Sequence, residues 1–317
     1  MRPSPPDGTQ GAPVIGAPVS AIQQKRVRRV VRPGWKTLLV ALGVVVAIGA
    51  LSAAYQQVQS RTQALFGARH ERPPSTVHAA TTPEAIAAGA HLTLVTSCAG
   101  CHGADLTGGP LTLAGTEVYA PNLTLAVRRL SDTDIDLALR HGLKPSGVSE
   151  LAMPAHAYAG FTDDEVAAII GYLRSLPPRG VVTPVPRPGL MLRLNLLFGG
   201  FRLEADRRAT AKPPIDAGPA FAAGRHLAAV SCGRCHGSDL GGGRGQPGPD
   251  LTVRGYYNRQ QFHELLRTGE AIGEGNMELM ASVAKKSFSH FTDSEIDAIY
   301  AYLDARDRVL SKAPPPR

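Results

Sequence analysis

The stretch "SCAGCHG", Ser97–Gly103, spaces two cysteines and a histidine so that one turn of helix holds them together. Cys98, Cys101 and His102 stand at i, i+3 and i+4, positions that share one face of an α-helix. The chain repeats this arrangement 134 residues later in "SCGRCHG", with Cys232, Cys235 and His236. Both copies therefore predict a group that is held by two thiols and one imidazole.

Cys-x-x-Cys-His is the attachment pattern of c-type haem, in which two thioether bonds fix the porphyrin edge and the imidazole ligates the iron. A four-thiolate zinc site is one alternative, but the two pairs stand far apart and their histidines would have no role. A thioredoxin-type redox pair normally accompanies a βαβ unit, and none is apparent. Structural disulfides in an exported protein are the third alternative. The histidine after both pairs, and an aromatic content of only 5%, favour two covalently bound haem c groups.

The repetition extends well beyond the two motifs. "AAGAHLTLVTSCAGCHGADLTGG" from Ala87 matches "AAGRHLAAVSCGRCHGSDLGGG" from Ala222, with one residue fewer before the second pair of cysteines. "PNLT" from Pro121 is repeated as "PDLT" from Pro249, and "FTDDEVAAIIGYL" as "FTDSEIDAIYAYL". Three matched blocks in the same order predict a duplicated domain. We call the copies repeat 1, residues 80–178, and repeat 2, residues 216–309.

Apolar positions within each copy recur at three and four residues, and strand-like alternation is absent, so the fold predicted is all-α. Pro83–Val95 is one predicted helix, with Thr82 as its cap. Ser131–His141 is a second, with Ser131 and Asp134 at capping-box spacing. Thr162–Leu176 closes the unit and ends before Pro177.

The N-terminal region predicts a membrane anchor. Leu38–Ala54 is an apolar run of 17 residues, long enough for a short transmembrane helix, which we place at 37–55. Residues 1–36, predicted to be a disordered tail, carry seven Lys or Arg and one acid, that is, six of the eight net positive charges. This cluster predicts a cytoplasmic N-terminus and a single-pass inner-membrane protein with its folded part in the periplasm. A cleaved signal peptide is the alternative.

The remaining segments are predicted to be connections. Residues 56–79 form a polar linker, and 310–317 form a tail. Residues 179–215 are a Pro-rich linker, interrupted by "GLMLRLNLLFGGFRL" from Gly189, which either packs in a groove between the repeats or lies in the membrane interface. The folded part carries a net charge of only about +2, so nucleic acid is not a predicted partner.

With these motifs the chain resembles the class I c-type cytochromes, in particular membrane-anchored dihaem proteins. The resemblance implies two tandem cytochrome c-like helical haem domains after a single N-terminal transmembrane helix, with His and Met as the axial ligands. In repeat 1 the matching methionine is Met153 in "LAMPAHAYAGF", with His156 or His141 as alternatives. A thioether sulfur is a soft ligand that raises the reduction potential.

Repeat 2 departs from the family pattern because it has no Met-Pro. Met280 is favoured over Met277 on spacing, with His290 and His263 as less favoured candidates. The resemblance also places the carbonyl groups of two prolines, Pro121 and Pro249, against the far nitrogens of the ligating imidazoles, where a hydrogen bond fixes the ring. Gly89 and Gly224 are expected to let the first helix of each repeat pack closely on the last.

Two haems that are each closed by a protein ligand leave no position for a substrate, so the sequence predicts an electron carrier and not an enzyme. The expected donor is a dehydrogenase or a quinol-oxidising complex, and the expected acceptor is an oxidase or another cytochrome. Two alternatives stay open. One is a dihaem peroxidase or small-molecule oxidase with an open second haem, and the second is a fixed cytochrome subunit of a dehydrogenase complex.

Overall fold

A computed structural model describes residues 34–243, 246–273 and 277–312. The predicted disordered tail, 1–36, lies outside these residues except for its last three positions. Of the predicted C-terminal tail, 310–317, the last five residues also lie outside them.

The first helix, α1, spans Trp35–Gly67. Within the described residues it is the one helix long and apolar enough to cross a membrane, with a mean hydropathy of 2.4 in its most apolar window. It continues 12 residues beyond the predicted boundary at 55, so the first part of the predicted linker is helical. This extension lacks Pro and is rich in residues that favour helix, such as Gln57, Arg61 and Leu65.

The rest of the predicted linker, 68–79, is folded onto repeat 1. The amide of His70 donates to the carbonyl of Gly147 at 2.9 Å, and that of Ala79 to Asp132 Oδ2 at 2.8 Å. Val77 is 3% exposed and belongs to the core of repeat 1. A buried valine anchors the segment, so it is part of the folded unit and not a free connection.

Repeat 1 is mostly helical. Its helices are α2 (Pro83–Val95), α3 (Ala99–His102), α4 (Leu123–Ala126), α5 (Asp132–Asp136), α6 (Ala155–Tyr158) and α7 (Asp163–Ser175), with a π-helical turn at Leu137–His141. The sequence caps are in place: Thr82 accepts from the Ala85 amide, and the Ser131 and Thr162 side chains form capping boxes. The three predicted helices are therefore confirmed, the second with a π-helical end.

A two-stranded antiparallel sheet in repeat 1 was not predicted. Strands β1 (Gly109–Leu113) and β2 (Thr116–Ala120) pair from Gly109↔Ala120 to Leu113↔Thr116. Ala114 and Gly115 connect them, both with positive φ (45° and 73°), as in a tight hairpin turn. The all-α fold is confirmed for the chain as a whole, and this hairpin is a small addition to it. The hairpin was not predicted because each of its strands has only five residues, which gives a short alternation.

All regular elements in the described part of repeat 2 are helical. Its elements are a 3₁₀ turn at Pro219–Phe221, α10 (Ala222–His236), α11 (Arg259–Thr268), α12 (Glu278–Lys286), a second 3₁₀ turn at Phe288–His290, and α13 (Asp293–Lys312). Its core contains Leu240, Phe262, Ile296 and Tyr302.

The first and last helices of each repeat cross at a glycine. A Cβ on Gly89 of α2 would lie 2.0 Å from the carbonyl oxygen of Ala168 in α7, and one on Gly224 of α10 would lie 1.9 Å from that of Ala298 in α13. No other residue fits these positions without moving the helices apart. The expected close approach is thus confirmed in both repeats.

The segment between the repeats forms two short helices, α8 (Leu190–Leu197) and α9 (Glu204–Ala209). In α8, Arg193 donates to Thr62 Oγ1 of α1 at 2.6 Å and places its guanidinium 5.5 Å from the centre of the Phe66 ring. In α9, Arg207 donates to Gln246 of repeat 2 at 3.3 Å. The apolar segment 189–203, for which two placements were predicted, contains α8, which packs on the end of α1. Helix α9, which contacts both repeats, follows that segment.

Candidate haem-binding sites

The first attachment motif follows a break in the helix. Helix α2 ends at Val95, Ser97 takes a positive φ of 63°, and Cys98 then begins the short helix α3 that carries Cys101 and His102. Burial raises the pKa of the Cys98 thiol, an effect partly offset by its contact with Thr96. The site keeps this sulfur uncharged, and a thioether, which carries no charge, suits such a position.

His102 is buried and held by one defined hydrogen bond. Its Nδ1 lies 2.8 Å from the carbonyl oxygen of Pro121. A carbonyl oxygen can only accept, so Nδ1 carries the hydrogen and Nε2 keeps its lone pair free for a metal. Burial lowers the pKa of His102, with the bond to Pro121 opposing it, and this favours the neutral imidazole that ligates iron.

In the second attachment motif the histidine makes the same hydrogen bond to a proline carbonyl, but the motif lies on an unbroken helix. Cys232, Cys235 and His236 lie in the last turns of the unbroken α10, and His236 Nδ1 lies 2.7 Å from the carbonyl oxygen of Pro249. Gly248 lies against the imidazole: a Cβ there would come within 2.7 Å of Nδ1 and Cε1. Burial raises the pKa of the Cys232 thiol to about 12. Burial also lowers the pKa of His236.

These residues fit a covalently bound haem c. Each repeat holds two free thiols and one imidazole on a single helical turn, and the imidazole Nε2 has a free lone pair. A proline carbonyl fixes the ring by accepting a hydrogen bond from the opposite nitrogen, Nδ1. The four cysteines form no disulfide, and the described residues hold no cluster of three or more His, Cys, Asp or Glu that could bind a metal ion. The geometry therefore favours haem attachment over the zinc and disulfide alternatives.

Met153 and Cys98 pack against the same core in repeat 1, and both are half-buried. The alternative ligand His156 has both ring nitrogens engaged, Nδ1 at 2.8 Å from Glu204 Oε2 and Nε2 at 2.9 Å from Arg207 Nη2. No nitrogen of His156 is left for iron. This arrangement favours Met153.

In repeat 2, Met280 packs against the same core as Cys232, whereas Met277 stands at the N-terminal cap of α12. The two histidine candidates are less well placed. His263 Nε2 lies 2.9 Å from Asp297 Oδ1, and His290 is exposed.

Two family profiles match the chain, one over each repeat. Residues 86–177 match the family "Cytochrome c", and residues 219–303 match "Cytochrome C oxidase, cbb3-type, subunit III". The chain is a c-type cytochrome with two tandem cytochrome c domains. Such domains carry haem and transfer electrons.

The cytochrome is also similar to curated proteins named as cytochrome subunits of dehydrogenases. It is 25% identical to the fructose dehydrogenase cytochrome subunit of Gluconobacter japonicus, over 69% of this chain and 52% of that protein. It is 24% identical to the gluconate 2-dehydrogenase cytochrome c subunit of Pantoea cypripedii (68% and 58%). It is 25% identical to the alcohol dehydrogenase (quinone) cytochrome c subunit of Gluconacetobacter polyoxogenes (71% and 57%). The chain thus spans somewhat over half the length of these relatives, all of which are named as cytochrome subunits.

The sequence reasoning missed the residues that join the two repeats. Arg234, between the two cysteines of the second motif, donates to Cys101 Sγ of the first motif at 3.6 Å. His91 and His226 occupy the same position in the two matched blocks, and each contacts a glutamate of the opposite repeat. The sequence did not distinguish these histidines as interface residues, because a polar residue repeated at the same place in both copies is equally expected on an exposed surface.

Proposed function

We propose that this cytochrome binds two haem c groups and passes single electrons from a membrane dehydrogenase to a downstream acceptor. The observation that carries the proposal is the duplicated site, in which each attachment motif has its histidine Nδ1 bonded to a proline carbonyl. Bound haem c supplies a one-electron couple at its iron.

The residues of each repeat have separate tasks. Cys98 and Cys101 would attach the haem of repeat 1 through thioether bonds, and His102 Nε2 and the Met153 sulfur would hold its iron. A methionine thioether as ligand would raise the reduction potential. In repeat 2 these tasks fall to Cys232, Cys235, His236 and Met280. Pro121 and Pro249 fix the imidazole rings and increase their basicity.

The relatives indicate the class of donor. Their names specify fructose, gluconate and alcohol dehydrogenases, enzymes whose named substrates are all hydroxyl compounds. We therefore assign the donor as a membrane dehydrogenase that oxidises a hydroxyl compound, with this cytochrome as its electron-transfer subunit. An oxidase or another cytochrome accepts the electrons.

The proposal includes an uncleaved anchor. Helix α1 runs without a break through Ala53, Ala54 and Tyr55, where a signal peptidase would cut. With the basic cluster of residues 25–36 on the cytoplasmic side, both repeats lie in the periplasm at the inner membrane. Anchoring holds the carrier at a high effective concentration beside a membrane-bound donor.

The test uses the full-length cytochrome, tagged and expressed in its own host. Membranes receive fructose, gluconate or a primary alcohol in turn, and the c-type haem absorbance is followed. We expect one class of substrate to reduce the cytochrome within the mixing time, and the dehydrogenase for that substrate to purify with the tag. Reduction by ascorbate alone, with no substrate effective and no dehydrogenase retained, would overturn the assignment of the donor.

A further inference from the structure

The two repeats pack together through reciprocal contacts. His91 of repeat 1 lies 2.8 Å from Glu295 of repeat 2, and His226 of repeat 2 lies 2.7 Å from Glu165 of repeat 1. The two histidines are equivalent in the matched blocks, and so are the two glutamates. The contact is thus made twice with the roles exchanged, as in a two-fold symmetric dimer.

The helices that lead to the attachment motifs form the centre of this contact. Val95 at the end of α2 is fully buried in the core of repeat 2, and Val230 of α10 is fully buried in the core of repeat 1. Each valine lies four residues after its interface histidine. The two attachment motifs therefore meet at the interface.

Arg234 is the charged group at this meeting point. It lies between the cysteines of the second motif, and its Nη1 donates to Cys101 Sγ of the first motif at 3.6 Å. Its guanidinium also faces Cys235 of its own motif. A Cβ on Gly100 would lie 3.7 Å from Nη1 and 3.9 Å from Nη2, so the turn of the first motif packs directly against the guanidinium.

We infer that Arg234 is a shared tuning residue whose positive charge raises the reduction potentials of both haem centres. The inference rests on the proposed function, because Cys101 and Cys235 are the thioether positions of different haems. A half-buried cation beside both attachment turns disfavours the added positive charge of each ferric centre. Partial burial limits screening by salt, so the effect persists at physiological ionic strength.

The experiment is a potentiometric titration of the full-length cytochrome and its Arg234→Gln variant, after intact mass has shown the haem count of each. We expect two haems in both proteins. In the variant, the ratio of ferric to ferrous haem at a fixed potential should rise about three- to tenfold at both centres, a shift of about 60 mV at the upper end.

Two further variants separate charge from structure. Arg234→Lys keeps the charge and should keep both potentials near the wild-type values. Arg234→His should make both potentials depend on pH around the ordinary imidazole pKa of about 6.5, more steeply than in the wild type. The pH dependence is measured within the Arg234→His variant alone, so it tests the inference even if Arg234→Gln loses a haem.

Arg225→Gln is the matched control, since Arg225 lies on the same helix but pairs with the exposed Asp216 at 2.9 Å. It should leave both potentials unchanged. A shift confined to one centre in Arg234→Gln and Arg234→His, or none, would overturn the inference and leave the proposed function standing. A wild-type protein without two haems would instead overturn the proposed function.

Discussion

The two repeats build the same site on different backbones. In repeat 1 the approach to the motif is broken, with Ser97 in the left-handed region between α2 and α3, whereas in repeat 2 α10 runs unbroken to His236. The cause is one residue, since repeat 1 has one more position between its interface histidine and its first cysteine. The extra residue is accommodated by a break in the helix, which leaves both ends of the segment in place.

For the six residues that follow the motif's histidine the two backbones are alike. The amide of Gly108 donates to the carbonyl of His102 at 2.7 Å, and that of Gly242 to the carbonyl of His236 at 2.7 Å. Leu106 and Leu240 both adopt a positive φ, 60° and 62°. The comparison teaches that the six residues after the histidine are the constrained part of the site, whereas the helix that precedes the motif is tolerant.

Loss of the sixth ligand should have the largest effect. Met153→Ala and Met280→Ala should each lower one reduction potential by an amount on the order of 0.1 V or more, because axial ligands set haem potentials over a wide range. Each variant should also bind cyanide at one haem. A potentiometric titration with and without cyanide measures both.

Met191→Ala is the control for this pair, because Met191 is exposed and lies in the segment between the repeats. It should change neither potential. If Met277→Ala lowered the second potential and Met280→Ala did not, the assignment in repeat 2 would be wrong.

Substitution of the glycine at each helix crossing should have the next largest effect, and a similar one in both repeats. Gly89→Ala and Gly224→Ala place a methyl group on a carbonyl oxygen of the facing helix. We expect each to lower the free energy of unfolding by about 2–3 kcal/mol, as overpacking does. Gly67→Ala, with open space around the new methyl group, should be close to neutral. Denaturant unfolding of the haem-loaded protein compares them, and tolerance at Gly224 alone would show that the crossings are not equivalent.

A smaller effect on stability, which differs between the repeats, is expected at the serine that precedes the first cysteine of each motif. Ser97 Oγ bonds Ser287 Oγ at 2.9 Å, but Ser231 Oγ is buried without a hydrogen-bond partner among the described residues. The residue equivalent to Ser287 in repeat 1 is Ala157. Ser97→Ala should therefore cost about 1 kcal/mol, while Ser231→Ala should be neutral or stabilising.

Ala157→Ser tests the same reasoning in the opposite direction. A hydroxyl there should pair with Ser231 and increase the free energy of unfolding by about 0.5–1.5 kcal/mol. Thermal unfolding of the three variants gives the ranking. Equal losses for Ser97→Ala and Ser231→Ala would contradict the asymmetry.

The smallest predicted effect is a pH dependence of the free energy of unfolding that comes from Glu165 at the interface between the repeats. Burial raises the pKa of Glu165, but the hydrogen bonds from His226 and Thr162 outweigh it, so the pKa lies below its usual value of 4.5. A depressed carboxylate pKa gives stability that is present above that value and is lost as the pH falls through the lower, folded value. Glu165→Gln should thus lose less stability than the wild type in unfolding measurements below pH 4.5. If the free energy of unfolding fell equally steeply with pH in the wild type and in Glu165→Gln, the contact between Glu165 and His226 would contribute nothing to the pH dependence.

Much of the fold follows from local signals. The caps Thr82, Ser131 and Thr162 begin helices where the sequence placed them, and the repeated blocks located both attachment motifs. The hairpin was missed because its signal is short, and the folded state of residues 68–79 was missed because one buried valine, Val77, anchors it.

The contacts between the repeats could not be predicted in the same way. They depend on which faces of two similar domains meet, and single-chain periodicity carries no information about that choice. Arg234 illustrates the limit: within its motif it occupies a freely variable position, and only the packing of the repeats places it against Cys101.

The central claim is that each repeat holds one covalently attached haem. The most direct measurement is the intact mass of the exported cytochrome, made in a host with haem-attachment machinery, alongside a Cys98→Ala/Cys101→Ala variant and a Cys232→Ala/Cys235→Ala variant. The account predicts two haems in the wild type and one in each variant. A wild-type mass with one haem or none would contradict it.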